Sequence, residues 1–463
     1  MLAGWRACAI LYDCMKIIRK YLEGVEAVLV YAYIWQIPFS WRFILDPNRS
    51  QRSAGFNEYM DISLYIGEIL LIIALLIHIL RYNIEKKSIY KNRFKVLISK
   101  LFHVEHRKKI FFIGIITLVL LNVFFSIDCP LTLMSIFHWI NFAFFVLLIK
   151  GLYVSRGTII ISSIFFILSI SVFLQTFVSL NQVIYGSSIG FKMLNESILS
   201  LHEINIAKSN IFSHLILRGY GTFPHPNILA AYAAFTIIYG ILFKKIMFHV
   251  EHLYPVTLFF STFLIILTQS KLTFIFITIM YLYLVLKNYK RRKLFHVEHL
   301  YLLVITVLFL IFFSFLFKQD IYNSFKTRVD QYRIQLSHLN VTLFGSGLGT
   351  YRLSYDTQSA DWWNMEPIHF TPIIALSEIG IALLLFGSYV LYKYIKIVPR
   401  GTWIGISLPM FFLVFILVFD HYAWDIYQGN FLLLSISLLI AYRVIIDIDY
   451  KKCYSIDNFN NRD

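Results

Sequence analysis

The chain has 463 residues, of which 58% are apolar, 18% aromatic and only 15% charged, with a formal net charge of +16. A soluble chain carries about 25% charged residues, so a water-soluble globular fold is excluded and an integral membrane protein is implied. No basic soluble domain carries the positive excess, which excludes nucleic-acid binding and leaves membrane topology and attraction to anionic lipid as its meaning.

Apolar runs near the roughly 20 residues needed to cross a bilayer recur along the sequence. About twelve are expected, in 22–40, 62–80, 110–127, 131–149, 158–180, 228–243, 254–269, 272–286, 300–317, 370–392, 402–419 and 429–446. The fold class is all-α: a polytopic membrane helix bundle forming one integral domain over 1–463, with a large helical extracytoplasmic loop at 318–369. Only Gln269-Ser270-Lys271 separates the seventh and eighth runs. No cleavable signal peptide is expected, because no small-residue cleavage site follows a short apolar core at the N-terminus. Basic residues cluster at 81–109, at Lys244-Lys245, at 287–293 and at 393–400. Placing these in the cytoplasm puts both termini there and sends 181–227 and 318–369 to the opposite face. Cys8, Cys14 and Cys453 then face the reducing side, and Cys129, in the turn Asp128-Cys129-Pro130, has no partner on the other, so no disulfide framework is expected.

The string FHVEH occurs three times, at 102–106, 248–252 and 295–299, each beside a basic cytoplasmic turn. Histidines at i and i+3 share a helix face and could offer two nitrogens to zinc, yet a short turn supplies neither further ligands nor a pocket. A different reading fits better. MFHVEH can be encoded as ATG TTC CAC GTG GAA CAT, which is its own reverse complement, and a palindromic insert would persist where turns tolerate added residues. The repeats read as tolerated insertions.

Chemistry is then sought on the opposite face. The first outer segment ends in RGYGTFPHPN at 218–227, where Gly and Pro break the helix and Asn227 suits an N-cap for the next span. Arg218 and His225 fall at the lipid–water boundary. In the second segment, Phe325, Val329, Tyr332 and Leu336 recur at helical spacing, which puts Arg328 and Arg333 on other faces of an amphipathic helix. The following FGSGLG at 344–349 lacks a preceding strand, so a tight backbone turn is expected there and not a phosphate cradle. Trp362-Trp363 suits an interfacial anchor or a sugar-stacking platform. Glu366 and His369 open the tenth span, Glu378 lies within it facing protein, and Asp420-His421 lie between the last two spans.

The motifs FPHPNILAAYAAF (223–235), TQSK (268–271), an arginine followed by LFGSGLGTY, EPIHFTPIIALSEIGI (366–381) and DHYAWDIYQG (420–429) occur in this order. Over roughly 215–430, their order and the span count resemble the O-antigen ligases and O-antigen polymerases. The resemblance implies a glycosyltransferase of the bacterial cytoplasmic membrane. Such enzymes move an undecaprenyl-diphosphate-linked glycan onto an acceptor sugar, as glycan or glycolipid, at the outer face. It implies His369 as the base and Arg328 as a diphosphate ligand. Where the family has a second arginine after serine, this chain has Ser270-Lys271, which keeps charge and loses the two-point grip; Arg218 or Arg333 would compensate. The family's Asn or Ser after the histidine is replaced here by Phe370. Glu366 or Asp420 would orient the imidazole, with His225, Asn227 and His421 in support. No metal and no cofactor are implied.

The chemistry is consistent. Diphosphate is a good leaving group, cations offset the charge that develops on it, and a neutral imidazole takes the proton of the attacking hydroxyl. No carboxylate pair flanks a sugar as in a glycosidase. The alternative is a polytopic transporter or flippase of lipid-linked sugars, which predicts charges spread through the spans and internal repeats. Few mid-span charges are visible in the sequence. A membrane protein without activity is a third reading.

Overall fold

The computed structural model describes residues 2–46, 62–89, 106–203, 206–211, 214–244, 252–290, 320–337, 339, 341–354, 367–397 and 403–440, with isolated positions between 304 and 311. The chain is mostly helical. In order the main helices are α1 (Leu2–Gln36), α2 (Ile66–Ile89), α3 (His106–Phe124), α4 (Cys129–Arg156), α5 (Ile159–Tyr185), α6 (Pro226–Phe243) and α7 (Leu253–Thr268). They continue as α8 (Lys271–Lys290), α9 (Asp320–Ser337), α10 (Thr371–Ile397), α11 (Trp403–Phe419) and α12 (Tyr427–Ile440).

Among the described residues, five helices are long and apolar enough to cross a membrane: α2, α4, α5, α6 and α10. Shorter apolar helices lie in α3, α7, α8, α11 and α12. The run at 22–40 forms the end of α1, which carries Glu23 and Glu26, and most of 300–317 lies outside the described residues. Among the described residues two short antiparallel strand pairs form, β1 (Arg42–Ile44) with β2 (Ser63–Tyr65) and β3 (Lys208–Ile211) with β4 (His214–Leu217); β2 takes the first residues of the expected span 62–80, and the other three lie in expected loops. Three-residue and four-residue strands are too short to leave a period in the sequence.

Helix ends follow local chemistry. Asp128 accepts the Leu131 amide at 3.1 Å, Pro130 sits in the first turn of α4, and Gly157 ends that helix at φ 61°. Gly186 closes α5 in the left-handed region, bonding back to the Gln182 carbonyl. Helix α6 forms the centre of the bundle. Its residues from Ile228 to Tyr239 are all buried, and the small Ala230, Ala231, Ala233 and Ala234 let neighbouring helices approach closely. Helices α1 and α2 pack against each other, α2 packs on α4, and α7 packs on both α5 and α6.

More ionisable groups sit inside the helices than the sequence reading expected, and each of those named here is paired. Glu26 is fully buried and meets the Arg81 Nε at 3.0 Å and the His78 Nδ1 at 2.8 Å. Glu23 bridges Arg81 at 3.3 Å and Arg156 at 3.0 Å. Glu68, also fully buried, bonds His138 and Asn141. An unpaired charge there would cost several kcal/mol, whereas pairing makes it tolerable.

Helix α10 is interrupted. Gly380 leaves helical geometry at φ 74° and ψ 173°. The glycine loop 344–349 fills the break: the Ser346 amide bonds the Ser377 carbonyl at 2.9 Å, and the Gly347 amide bonds the Glu378 carbonyl at 3.1 Å. The Asn122 side chain of α3 closes the junction, donating to the carbonyls of Phe344 and Glu378 at 2.7 Å each. Backbone groups freed by a break within a membrane protein need partners, and this loop supplies them. The expected tight turn is present, with positive φ at Gly345, Gly347 and Gly349.

Candidate functional site

One end of the bundle gathers the C-terminal ends of α1, α7 and α11 and the N-terminal ends of α6, α8 and α10. The irregular segment 218–225 is held there by two glutamines of α5. Gln182 accepts the amides of Tyr220 and Gly221 at 2.9 and 2.8 Å and donates to the Gly221 carbonyl. Gln175 accepts the Thr222 amide at 2.8 Å and donates to its hydroxyl, which in turn donates to the Pro38 carbonyl. Gly221, at φ 58°, presses so closely on Gln175 that a Cβ would lie 2.2 Å from Oε1. Two buried side-chain amides thus satisfy the backbone groups of this irregular loop.

From this loop a chain of polar contacts crosses the bundle. Arg218 donates through Nε to the Thr268 carbonyl at 2.8 Å and through a terminal nitrogen to Asn227 Oδ1 at 2.7 Å. Asn227 Nδ2 donates to Asp420 Oδ2 at 3.2 Å. Asp420 Oδ1 lies 3.3 Å from His369 Nδ1 and also accepts the His421 amide at 2.9 Å. The His369 and His421 rings lie 5.0 Å apart, and Asp425 holds the His421 Nδ1 at 2.9 Å. The Thr371 hydroxyl fixes the Asp420 carbonyl at 2.8 Å.

Helix α9 lies across this end. Its Tyr332 hydroxyl donates to the His369 carbonyl at 2.9 Å, and Arg328 donates to the Phe419 carbonyl at 3.2 Å. The face turned to the bundle comprises Arg328, Tyr332 and Gln335, while Leu336 and Arg333 are exposed. Tyr332 belongs to the expected apolar row and faces the bundle, and Arg333 is exposed as that row implies; Leu336 of the row is exposed, and Arg328 reaches the Phe419 carbonyl.

The cap of α6 is likewise His225, not Asn227. Its Nδ1 accepts the Asn227 amide at 3.2 Å with Pro226 at the first position, leaving the Asn227 side chain to join Arg218 and Asp420. Lys271 opens α8 directly after the Thr268 carbonyl that Arg218 holds, and it is partly buried. Glu366 and Trp362-Trp363 lie outside the described residues, as do most residues of the FHVEH repeats. Among the described residues the imidazole partner is therefore Asp420.

Electrostatics follows the geometry. Burial alone would raise the Asp420 carboxyl, but the hydrogen bond with His369 and the charges of His369, His421 and Arg328 outweigh it and hold it well below the usual carboxylate range. Burial, then the charge of Arg218, lowers the His225 imidazole to about 3, so it caps α6 as a neutral acceptor at pH 7. Burial lowers the Arg218 guanidinium to about 10, helped by Arg328 and opposed by Tyr220 and Asp420; it stays charged at neutral pH.

His369, His421 and Asp420 also place ligand atoms within 4.8 Å of one another, two nitrogens and an oxygen of the kind zinc accepts. Chemically, the arrangement offers a carboxylate-oriented imidazole with Arg218 linked to the same carboxylate through Asn227 and Arg328 nearby. It can accept a proton while neutralising an anion. Thr371, Gln175 and Gln182 are additions that left no signal in the sequence, whereas Tyr332 stood in the apolar row of α9 and Asp425 in the 420–429 motif, four residues after His421, without a site role. Compared with protein-family models, curated proteins and solved structures, the chain has no match.

Proposed function

We propose that this chain is a metal-independent membrane glycosyltransferase of O-antigen ligase or polymerase type. It transfers an undecaprenyl-diphosphate-linked glycan to an acceptor sugar at the outer face of a bacterial cytoplasmic membrane, with about twelve spans and both termini cytoplasmic. The observation that carries the reading is the unbroken link from Arg218 through Asn227 and Asp420 to His369. It ties a cation to a base across three segments remote in sequence. In this reading Asp420 orients the His369 imidazole, which removes the proton of the acceptor hydroxyl. That oxygen attacks the anomeric carbon of the donor sugar as its bond to the diphosphate breaks. Arg328, Arg218 and Lys271, with the N-termini of α6 and α8, take up the negative charge released on the diphosphate.

A transporter or flippase of lipid-linked sugars is the second reading, favoured by the interruption of α10 and by the carboxylates buried within helices. Against it, the carbonyls opened at Ser377 and Glu378 are already bonded by the glycine loop. The two readings part in proteoliposomes supplied with an undecaprenyl-diphosphate-linked glycan, a candidate acceptor and a chelator. Release of undecaprenyl diphosphate with elongation of the acceptor supports transfer. Movement of intact lipid-linked glycan between leaflets without bond cleavage supports transport. Activity abolished by chelation would turn His369, Asp420 and His421 into a metal centre.

A further inference from the structure

Beside the Asp420–His369 cluster lies a separate pocket of about 60 Å³, walled by Trp139, Trp424, His138, Asp425, Glu378, Arg352 and Tyr65 among others. Its construction is deliberate in three respects. First, it has an aromatic wall: Trp139 and Trp424 lie 5.5 Å apart and tilted, and Tyr65 stacks on Tyr427 at 3.7 Å. Second, its histidine is oriented from behind. Glu68 Oε1 takes the His138 Nδ1 at 2.5 Å and the Asn141 amide at 3.2 Å, while Oε2 accepts the Tyr65 amide at 3.1 Å. That carboxylate holds Nδ1 and so fixes the plane of the ring. Third, it borders the cluster: Asp425 belongs both to the pocket wall and to the His421 pair, and the Trp424 indole donates to Glu378 Oε2 at 2.8 Å.

Each neighbour constrains the occupant. The wall holds the Arg352 guanidinium together with the carboxylates of Asp425 and Glu378, so it offers both donors and acceptors to a polar occupant. The polar groups make a hydrocarbon tail costly to seat. A pyranose ring satisfies both kinds of surface, since its C–H face lies on aromatic rings and its hydroxyls pair with carboxylate and imidazole. We propose that this pocket is a monosaccharide subsite that seats the terminal ring of the acceptor. The ring stacks on Trp139 and Trp424, His138 and Asp425 engage its hydroxyls, and one hydroxyl is presented toward His421 and His369. The assignment of the ring to the acceptor rests on the transferase reading; the sugar site itself does not.

The test is direct binding to the purified full chain in detergent, without donor. Methyl glycosides of glucose, galactose, N-acetylglucosamine and rhamnose are titrated singly and followed by saturation-transfer NMR. At least one should bind. Trp139→Phe and His138→Gln should each weaken it by about tenfold, the cost of one lost partner in a buried site, whereas Arg328→Ala should leave it unchanged. Thermal midpoints of the variants separate lost binding from lost folding. Should Trp139→Phe fail to fold, His138→Gln carries the comparison, because Asn141 still bonds Glu68. Binding by none of the glycosides, or binding indifferent to both pocket variants, overturns the proposal. Binding that depends on the pocket, in a protein that transfers nothing, upholds the subsite and removes the transferase reading alone.

Discussion

His369 and Asp420, 51 positions apart, meet with Nδ1 and Oδ1 3.3 Å from each other, and the Asp420 carboxylate is at the same time the acceptor for Asn227 and for the His421 amide. The carboxylate is held on three sides, so the imidazole it faces has a fixed orientation. Asp420→Asn keeps the shape and removes the charge. Transfer should fall by on the order of 10²-fold. Unaltered transfer by the folded Asp420→Asn protein would mean that Asp420 only braces the fold.

The cations separate by geometry. Arg328→Ala should raise the KM for the diphosphate-linked donor more than Arg328→Lys, since lysine keeps charge without the planar fork. Lys271→Arg should be tolerated or improve donor use. Arg218→Ala should lower the thermal midpoint as well, because Arg218 also fastens the Thr268 carbonyl and Asn227. A Lys271→Ala protein with unaltered donor KM would remove Lys271 from the site.

Acid stability reports on His225. Its folded pKa, about 3, lies below the unfolded value of about 6.5, so the unfolded chain takes up a proton first as pH falls. The neutral cap therefore contributes stability that is complete above pH ~6.5 and lost progressively toward pH ~3. The depressed Asp420 carboxyl acts in the same direction at lower pH. His225→Asn retains a capping acceptor that does not titrate. Its thermal midpoint should fall less between pH 7 and pH 5 than that of the parent, measured by light scattering on heating. Equal slopes would contradict the buried neutral imidazole.

The break in α10 is tested by one methyl group. At Gly345, with φ 82°, an added Cβ would lie 2.0 Å from the Glu378 carbonyl oxygen. Gly345→Ala should therefore cost about 2 kcal/mol or more and lower both yield and thermal midpoint. Gly387→Ala, where a Cβ meets nothing within 4 Å, is the neutral control. Equal behaviour of the two would mean that the loop does not dock as described.

Helices were the most legible feature, because long apolar runs have few other uses and their ends carry Asp128, Gly157 and Gly186 as local signals. His369, Asp420, Arg218 and Asn227 were readable as a polar set at one end of the bundle, but not who touches whom. Asn227 looked like a cap until His225 took that place and freed its amide for Asp420. Gly380 was invisible as a break: one glycine in an apolar run reads as tolerated, and only the distant 344–349 loop makes it an opening. Glu68 and His138 went unpaired for the same reason, since 70 residues separate them. Contacts between elements leave no period along the chain.

Whether His369 acts as the base of the proposed transfer reaction is read from the rate of glycan transfer by His369→Ala in proteoliposomes. The substitution leaves the backbone carbonyl that Tyr332 holds, so folding and donor binding should persist. Transfer should fall by roughly 10²–10⁴-fold, the range for loss of a positioned acid–base group. Transfer at the parent rate by the folded His369→Ala protein would contradict the account.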